Sequence, residues 1–293
     1  QYFKNSTDRM SSLQKDLVNI QGKLATGQNV LKPSDDPLAM ATALGAKDQI
    51  KQIDAFQSNL NTLNNQLSQM DVALDAASEV VQGLRDAIFS AGNSTLSDAD
   101  RATLAQDIQA RMDELRAVAN RKDADGNYLF SGTRQNVVPF DIAGGVVQPY
   151  GGGAEGRAIQ VSSGRSINLS ITGQDAFVDP ATGKSLFTSV EDALADLASG
   201  DLTTLRTRVA ELEGGFDAVL LARTKVGLRQ REAETIEQIN FAASTELERV
   251  ASEAVGLDYA KAISDLAQGQ LKLQATQQSF SNISQLSLFN FIG

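Results

Sequence analysis

Three short segments carry residues whose types and spacing suit chemistry. Gly151 to Gly156 satisfies G-x-G-x-x-G, the pattern by which a glycine turn brings backbone amides to a pyrophosphate. Asp123-Ala124-Asp125-Gly126-Asn127 starts like a calcium loop, with oxygen ligands at alternate positions. Asp35 and Asp36 offer the paired carboxylates of acid/base catalysis. Each reading fails on its surroundings. No strand-to-helix turn frames the glycines and β-patterned residues follow them, so a flexible hairpin loop accounts for the run. In the aspartate segment the glycine stands fourth where the sixth position is needed, and Arg134 occupies the place of the bidentate glutamate; a turn that ends a helix is the better account. Adjacent aspartates leave a helix on different faces, and helix capping suffices to explain them.

Composition narrows the chemistry further. The 293 residues include no Cys, no His and no Trp, which removes the commonest metal ligand, the commonest general base and all thiolate chemistry. Between Thr133 and Leu186 the carboxylates are Asp141, Glu155, Asp175 and Asp179, with no partner base, so no catalytic, cofactor-binding or metal-binding residue is assigned and no cofactor is expected. A net charge of -10 and a pI near 4.6 repel nucleic acid and anionic membranes, and neither is expected as a partner. The longest apolar run is of the order of Val219-Leu220-Leu221-Ala222, far below the roughly 20 residues of a spanning helix, so no membrane insertion is expected. No basic segment followed by an apolar one opens the chain, which predicts no cleaved secretory signal, and the missing initiator Met suggests that a few leading residues are absent. The N-x-S/T triplets at Asn5, Asn93, Asn168 and Asn282 are expected by chance in so Ser-, Thr- and Asn-rich a chain.

The elements that would position any site are helical. Phe3, Met10, Leu17 and Leu24 recur every seven residues, with Leu13 and Ile20 in the second apolar heptad position. At the other end Leu266, Leu273 and Phe280 repeat that spacing, and Ile283 and Leu286 continue the stripe. Between these arms the heptads are cleanest from Ile53 to Ile88, predicting a helix from about Pro37 to Ala91, roughly 80 Å long at ~1.5 Å per residue. Pro33 and Pro37 end the first arm near Gly27. Ser97 or Asp98 starts a third helix. From about Ser131 to Phe187 short runs such as Val137-Val138, Val146-Val147, Ile159/Val161 and Ile167/Leu169/Ile171 alternate between glycine turns, which predicts a small antiparallel β domain. Helix is expected to return near Ser189, to break at Gly200 and again at Gly214-Gly215, and then to run back along the second and third helices. The expected fold is α+β: a long helical bundle built from both ends of the chain around a small β insert. Its parts are an N-terminal coiled-coil arm (1–30), an outgoing rod (31–130), the β domain (131–188), a return rod (189–258) and a C-terminal arm (259–293).

Four segments carry a resemblance beyond this pattern: Lys32-Pro33-Ser34-Asp35-Asp36-Pro37, Asn93 to Arg101 (NSTLSDADR), Asp125 to Gly132 (DGNYLFSG) and Ser284 to Asn290. Together they resemble the flagellin superfamily, and within it the junction proteins between flagellar hook and filament. The paired prolines and the C-terminal ending differ from what is frequent in filament flagellins. The resemblance implies a structural role rather than an enzymatic one, and export through the flagellar apparatus without a cleaved signal to an extracellular place at the hook-filament junction. It implies as partners the first junction protein on the hook (hook-associated protein 1), flagellin, further copies of the chain in a ring, and an export chaperone. The residues expected to pack between subunits are Leu13, Leu17, Ile20 and Leu24 with Leu266, Leu273, Phe280, Ile283 and Leu286. Pairing of both arms within one chain is the plainer alternative for the isolated protein. A filament flagellin is the nearest rival reading, a coiled-coil needle-tip or translocator-like protein of a related injection apparatus the second, and an enzyme on a flagellin scaffold the third.

Overall fold

The structure, a computed structural model, describes the backbone of residues 2–292 and the side chains of residues 4–282. In chain order come α1 (Tyr2–Thr26), α2 (Pro37–Ala91), α3 (Asp98–Ala119), β1 (Ile142–Ala143), β2 (Val146–Val147), β3 (Ala158–Ser162), β4 (Arg165–Asn168), α4 (Gly173–Phe177), α5 (Leu186–Ser199), α6 (Leu202–Val255) and α7 (Tyr259–Ile292). The helix ends sit where local chemistry puts them. Gly27 closes α1 with φ +70°, a left-handed conformation that glycine adopts freely. Asp36 caps α2 by accepting the amide of Ala39 at 2.9 Å, with Pro37 in the first turn. Its neighbour Asp35 instead closes the preceding loop on the amides of Leu31 and Lys32 (3.1 and 3.0 Å), so the two carboxylates have separate structural tasks. Ser97 and Asp100 form a reciprocal capping box at the start of α3.

The chain forms two compact units, Asp54–Phe241 and Gln1–Ile53 with Ala242–Gly293. In the first, the heptad rows of α2 from Leu60 to Ile88 are buried against Ile108, Met112 and Leu115 of α3 and Val219, Val226 and Ile236 of α6. Each such side chain contributes about 1.5–3 kcal/mol on burial, which makes this row of packed apolar residues the main stabilising feature of the unit. Arg223 of α6 ties to Asp71 (2.9 Å) and to Asp75 of α2. The second unit has a far smaller core, Val30, Ala43 and Val255 with Ala39, Met40 and Ala254 around it.

Three expectations change. Helix α6 runs unbroken through Gly214 and Gly215. A Cβ on Gly214 would lie 2.9 Å from the Asp179 carboxylate and one on Gly215 2.3 Å from Leu186, so these glycines admit close neighbours instead of ending the helix. Helix α5 starts at Leu186, three residues before the expected Ser189, because Ser185 caps it. Strand in the segment after α3 is confined to two antiparallel hairpins, β1-β2 and β3-β4, and Val137-Val138 lies outside them. The remaining order comes from packing on the same core as the helices. Phe130, Phe140, Phe177 and Phe187 are fully buried in edge-on and tilted contacts 4.7–6.3 Å between ring centres. Asn120, at the C-terminal cap of α3, clamps Phe140 by donating to its carbonyl (2.7 Å) and accepting from its amide (2.9 Å). Asn59 and Asn240 donate to the carbonyls of Gln160 and Val161, and Arg229 to that of Ser170, fastening β3 and the segment after β4 to α2 and α6.

The Asn120 clamp predicts that Asn120→Ala lowers the unfolding free energy of the 54–241 unit by about 1–3 kcal/mol, the cost of a deprived buried backbone group, read from urea unfolding. The acid limit is equally specific. The Thr182 hydroxyl and the Ala181 amide hold the Asp179 carboxyl below its ordinary value of 3.8. A depressed folded-state pKa contributes stability that is complete above the unfolded value and disappears as pH falls through the folded one. The stability difference between the unaltered chain and Asp179→Asn is therefore expected to be constant near neutrality and to shrink as pH is lowered below 3.8.

Candidate assembly interface

Most of the residues that looked chemical are engaged structurally. Asp123 accepts the amides of Asp125 and Asn127 at 3.0 and 2.9 Å, closing a turn in which Gly126 has φ +84°. The glycine run is packed and not a flexible hairpin. A Cβ on Gly153 would stand 2.1 Å from the Thr133 hydroxyl and one on Gly152 2.7 Å from the Ser131 carbonyl, while the Tyr150 hydroxyl bonds the carbonyls of Phe130 (2.9 Å) and Gly153 (3.0 Å). Burial pushes that phenol up to about 12, so it stays a neutral donor at any physiological pH. The amides of Gly151 and Gly153 donate to the carbonyls of Pro139 (2.9 Å) and Ser131 (2.8 Å), so neither is available to a phosphate. Of the other carboxylates, Asp175 accepts the hydroxyl of Thr172 (2.7 Å), the residue that caps α4 by accepting the Asp175 amide (3.1 Å), and pairs with Lys225 at 3.3 Å, and Asp141 accepts the amide of Ile142 at 2.8 Å. Among the described residues no cluster of three acids forms that could hold a metal ion.

The terminal helices make the more informative site. α1 and α7 pack along one another. They meet at a root where the linkers cross: the amide of Asn29 donates to Val255 (2.7 Å) and that of Leu257 to Gly27 (3.1 Å). Tyr259 closes over Gly27, its hydroxyl 2.6 Å from where a Cβ would be. Farther along, Leu17 meets Gly269, so the helices run antiparallel from the root. The expected packing residues are brought to this pair. Leu17 is buried at 8 % exposure, whereas Leu13, Ile20 and Leu24 and, opposite, Leu266, Leu273 and Phe280 are half-buried. Ile283 and Leu286 lie outside the residues whose side chains are described. Partial burial is what two helices alone achieve, since each covers only one side of the other's stripe. Apolar side chains also stand on the outer faces: Val18 and Leu271 are each 67 % exposed and Ile263 57 %, with Leu38 and Leu44 at the start of α2. Sequence reading missed these outer residues and the roles of Gly27, Gly256 and Gly269. A glycine in the middle of a heptad helix was the available signal for the last.

Comparison with known proteins agrees with this arrangement. Residues 3–135 match the family described as the bacterial flagellin N-terminal helical region. Flagellar hook-associated protein 3 of Escherichia coli (strain K12) is 28 % identical over 98 % of this chain and 96 % of its own length. A flagellin of Bacillus subtilis (strain 168) is more distant, 23 % identical over 96 % of this chain and 93 % of that one. A solved structure of a flagellar hook-associated protein from Vibrio parahaemolyticus superposes with a TM-score of 0.71 and 23 % identity, over 76 % of this chain and 100 % of that chain, which is a match of fold.

The root generates its own prediction. Gly27→Ala places a Cβ at positive φ and against Tyr259, and is expected to destabilise the paired arms by about 1–2 kcal/mol, read as faster hydrogen exchange in α1 and α7 with α3 unchanged. The half-covered helix pair, the heptads of both termini and the near full-length alignment agree: the chain carries a flagellin-type N-terminal helical region and is similar over nearly its whole length to a flagellar hook-associated protein 3.

Proposed function

We propose that the chain is the adaptor of the hook-filament junction, a structural protein with no catalytic role that joins the first junction protein on the hook to the flagellin filament. The observation that carries this reading is the arm pair itself: apolar stripes covered on one side only, on a chain aligned nearly end to end with a hook-associated protein 3. A helix pair so incompletely buried is marginal alone and gains stability when neighbouring subunits cover the rest, so that ordering and assembly become one event. On this reading the uncovered sides of Leu13, Ile20, Leu24, Leu266, Leu273 and Phe280, with Ile283 and Leu286, pack between copies arranged in a ring, while Leu17, expected there too, is covered within its own arm pair by Gly269. Export without a cleaved signal, guided by a chaperone, delivers the chain to the outside of the cell. The filament-subunit alternative is disfavoured by the greater distance of the flagellin relative.

Deleting the gene is expected to leave bare hooks and to release unpolymerised flagellin into the medium; bare hooks without released flagellin would identify a filament subunit, and normal filaments would remove both readings. Leu17→Asp or Leu273→Asp is expected to abolish filament attachment in cells while the 54–241 unit keeps its unfolding midpoint.

A further inference from the structure

The heptad stripes of α1 and α7 do not specify their own alignment. Apolar side chains recur every seven residues on both helices, so sliding one along the other by a heptad again sets leucine against leucine. Two contacts remove that ambiguity. At the root Gly27 lies against Tyr259, and ten residues along each helix Leu17 lies against Gly269, where a Cβ would stand 2.8 Å from the Leu17 Cδ2 atom. The same count places Leu24 and Ala262 three residues from the root, Ile20 and Leu266 seven, and Leu13 and Leu273 fourteen. Leu17 is the deepest of these α1 leucines, and Ala262 opposite Leu24 is likewise buried, at 7 % exposure. A slip by one heptad would set Leu17 against Ala262 or Thr276, either of which puts a Cβ where the seat has no room. Glycine disfavours helix at such an interior position, so its place in α7 is accounted for by the side chain it admits.

We propose that Leu17 and Gly269 form a knob and seat that sets the register of the two terminal arms, with the Gly27–Tyr259 contact as its root. The seat determines which leucines face one another, and hence which apolar residues remain outward for other subunits. This goes beyond the junction role and is read on the purified chain. The absence of native cysteine makes the test direct. The pair Leu13→Cys/Leu273→Cys should be joined efficiently by a short bifunctional maleimide, and the slipped pair Leu13→Cys/Leu266→Cys poorly. Adding Gly269→Leu should reduce joining of the first pair at least about fivefold by overfilling the seat, and adding Leu17→Ala to that variant should restore it. Unchanged joining in the Gly269→Leu chain, failure of Leu17→Ala to restore it, or efficient joining of the slipped pair in the otherwise unaltered chain would each overturn the proposal.

Discussion

A helix that is apolar along one stripe has to be covered, and how many neighbours do the covering decides what each part of this chain is. In the 54–241 unit the stripe of α2 is enclosed by α3, α6 and the segment between α3 and α5, and its leucines are fully buried. In the other unit α1 has α7 as its long partner, with a core of a few small side chains at the root. The same heptad pattern therefore produces a closed core in one place and a half-covered pair in the other. The difference is a matter of coordination, not of propensity.

The segment between α3 and α5 shows that order does not require much regular structure. Its two hairpins are short, yet its phenylalanines complete the core of the helices and its backbone is held by side chains projected from α2, α3 and α6. Charge reinforces this. Burial works against the Lys184 ammonium, but the hydrogen bonds it donates to Asp192 and Glu211, both at 2.6 Å, outweigh it and raise its pKa, while Arg208 reaches Asp196 and Glu211 beside them. The network spans the residue before Ser185, α5 and α6, and a network of partly buried charges is worth more than isolated surface pairs.

Much of this was legible because it depends on local rules. The heptads of α2, a capped helix start at Asp35 or Asp36 and another at Ser97 or Asp98, and the stop at Gly200 follow from side-chain period and from backbone groups that need partners within a turn. Less legible were the glycines. Gly200 has φ +76° and ends a helix, whereas Gly214 and Gly215 lie inside one, because what a glycine does in the middle of a helical pattern depends on what approaches it from elsewhere in the chain. The run from Gly151 to Gly156 reads as flexible for the same reason: its partners, Ser131 and Thr133, are twenty or more residues away and appear only when the chain has folded.

By itself the sequence determined the helical architecture, the absence of histidine and cysteine chemistry, the two apolar arms and the four segments that resemble flagellins and their junction relatives. Those are properties of composition, period and local capping. Only the tertiary structure decided which face of each arm is covered, that Asp35 and Asp36 have different tasks, and that Leu17 sits against Gly269. A repeat of seven is satisfied at every heptad, so the choice among alignments falls to contacts between residues far apart in the chain.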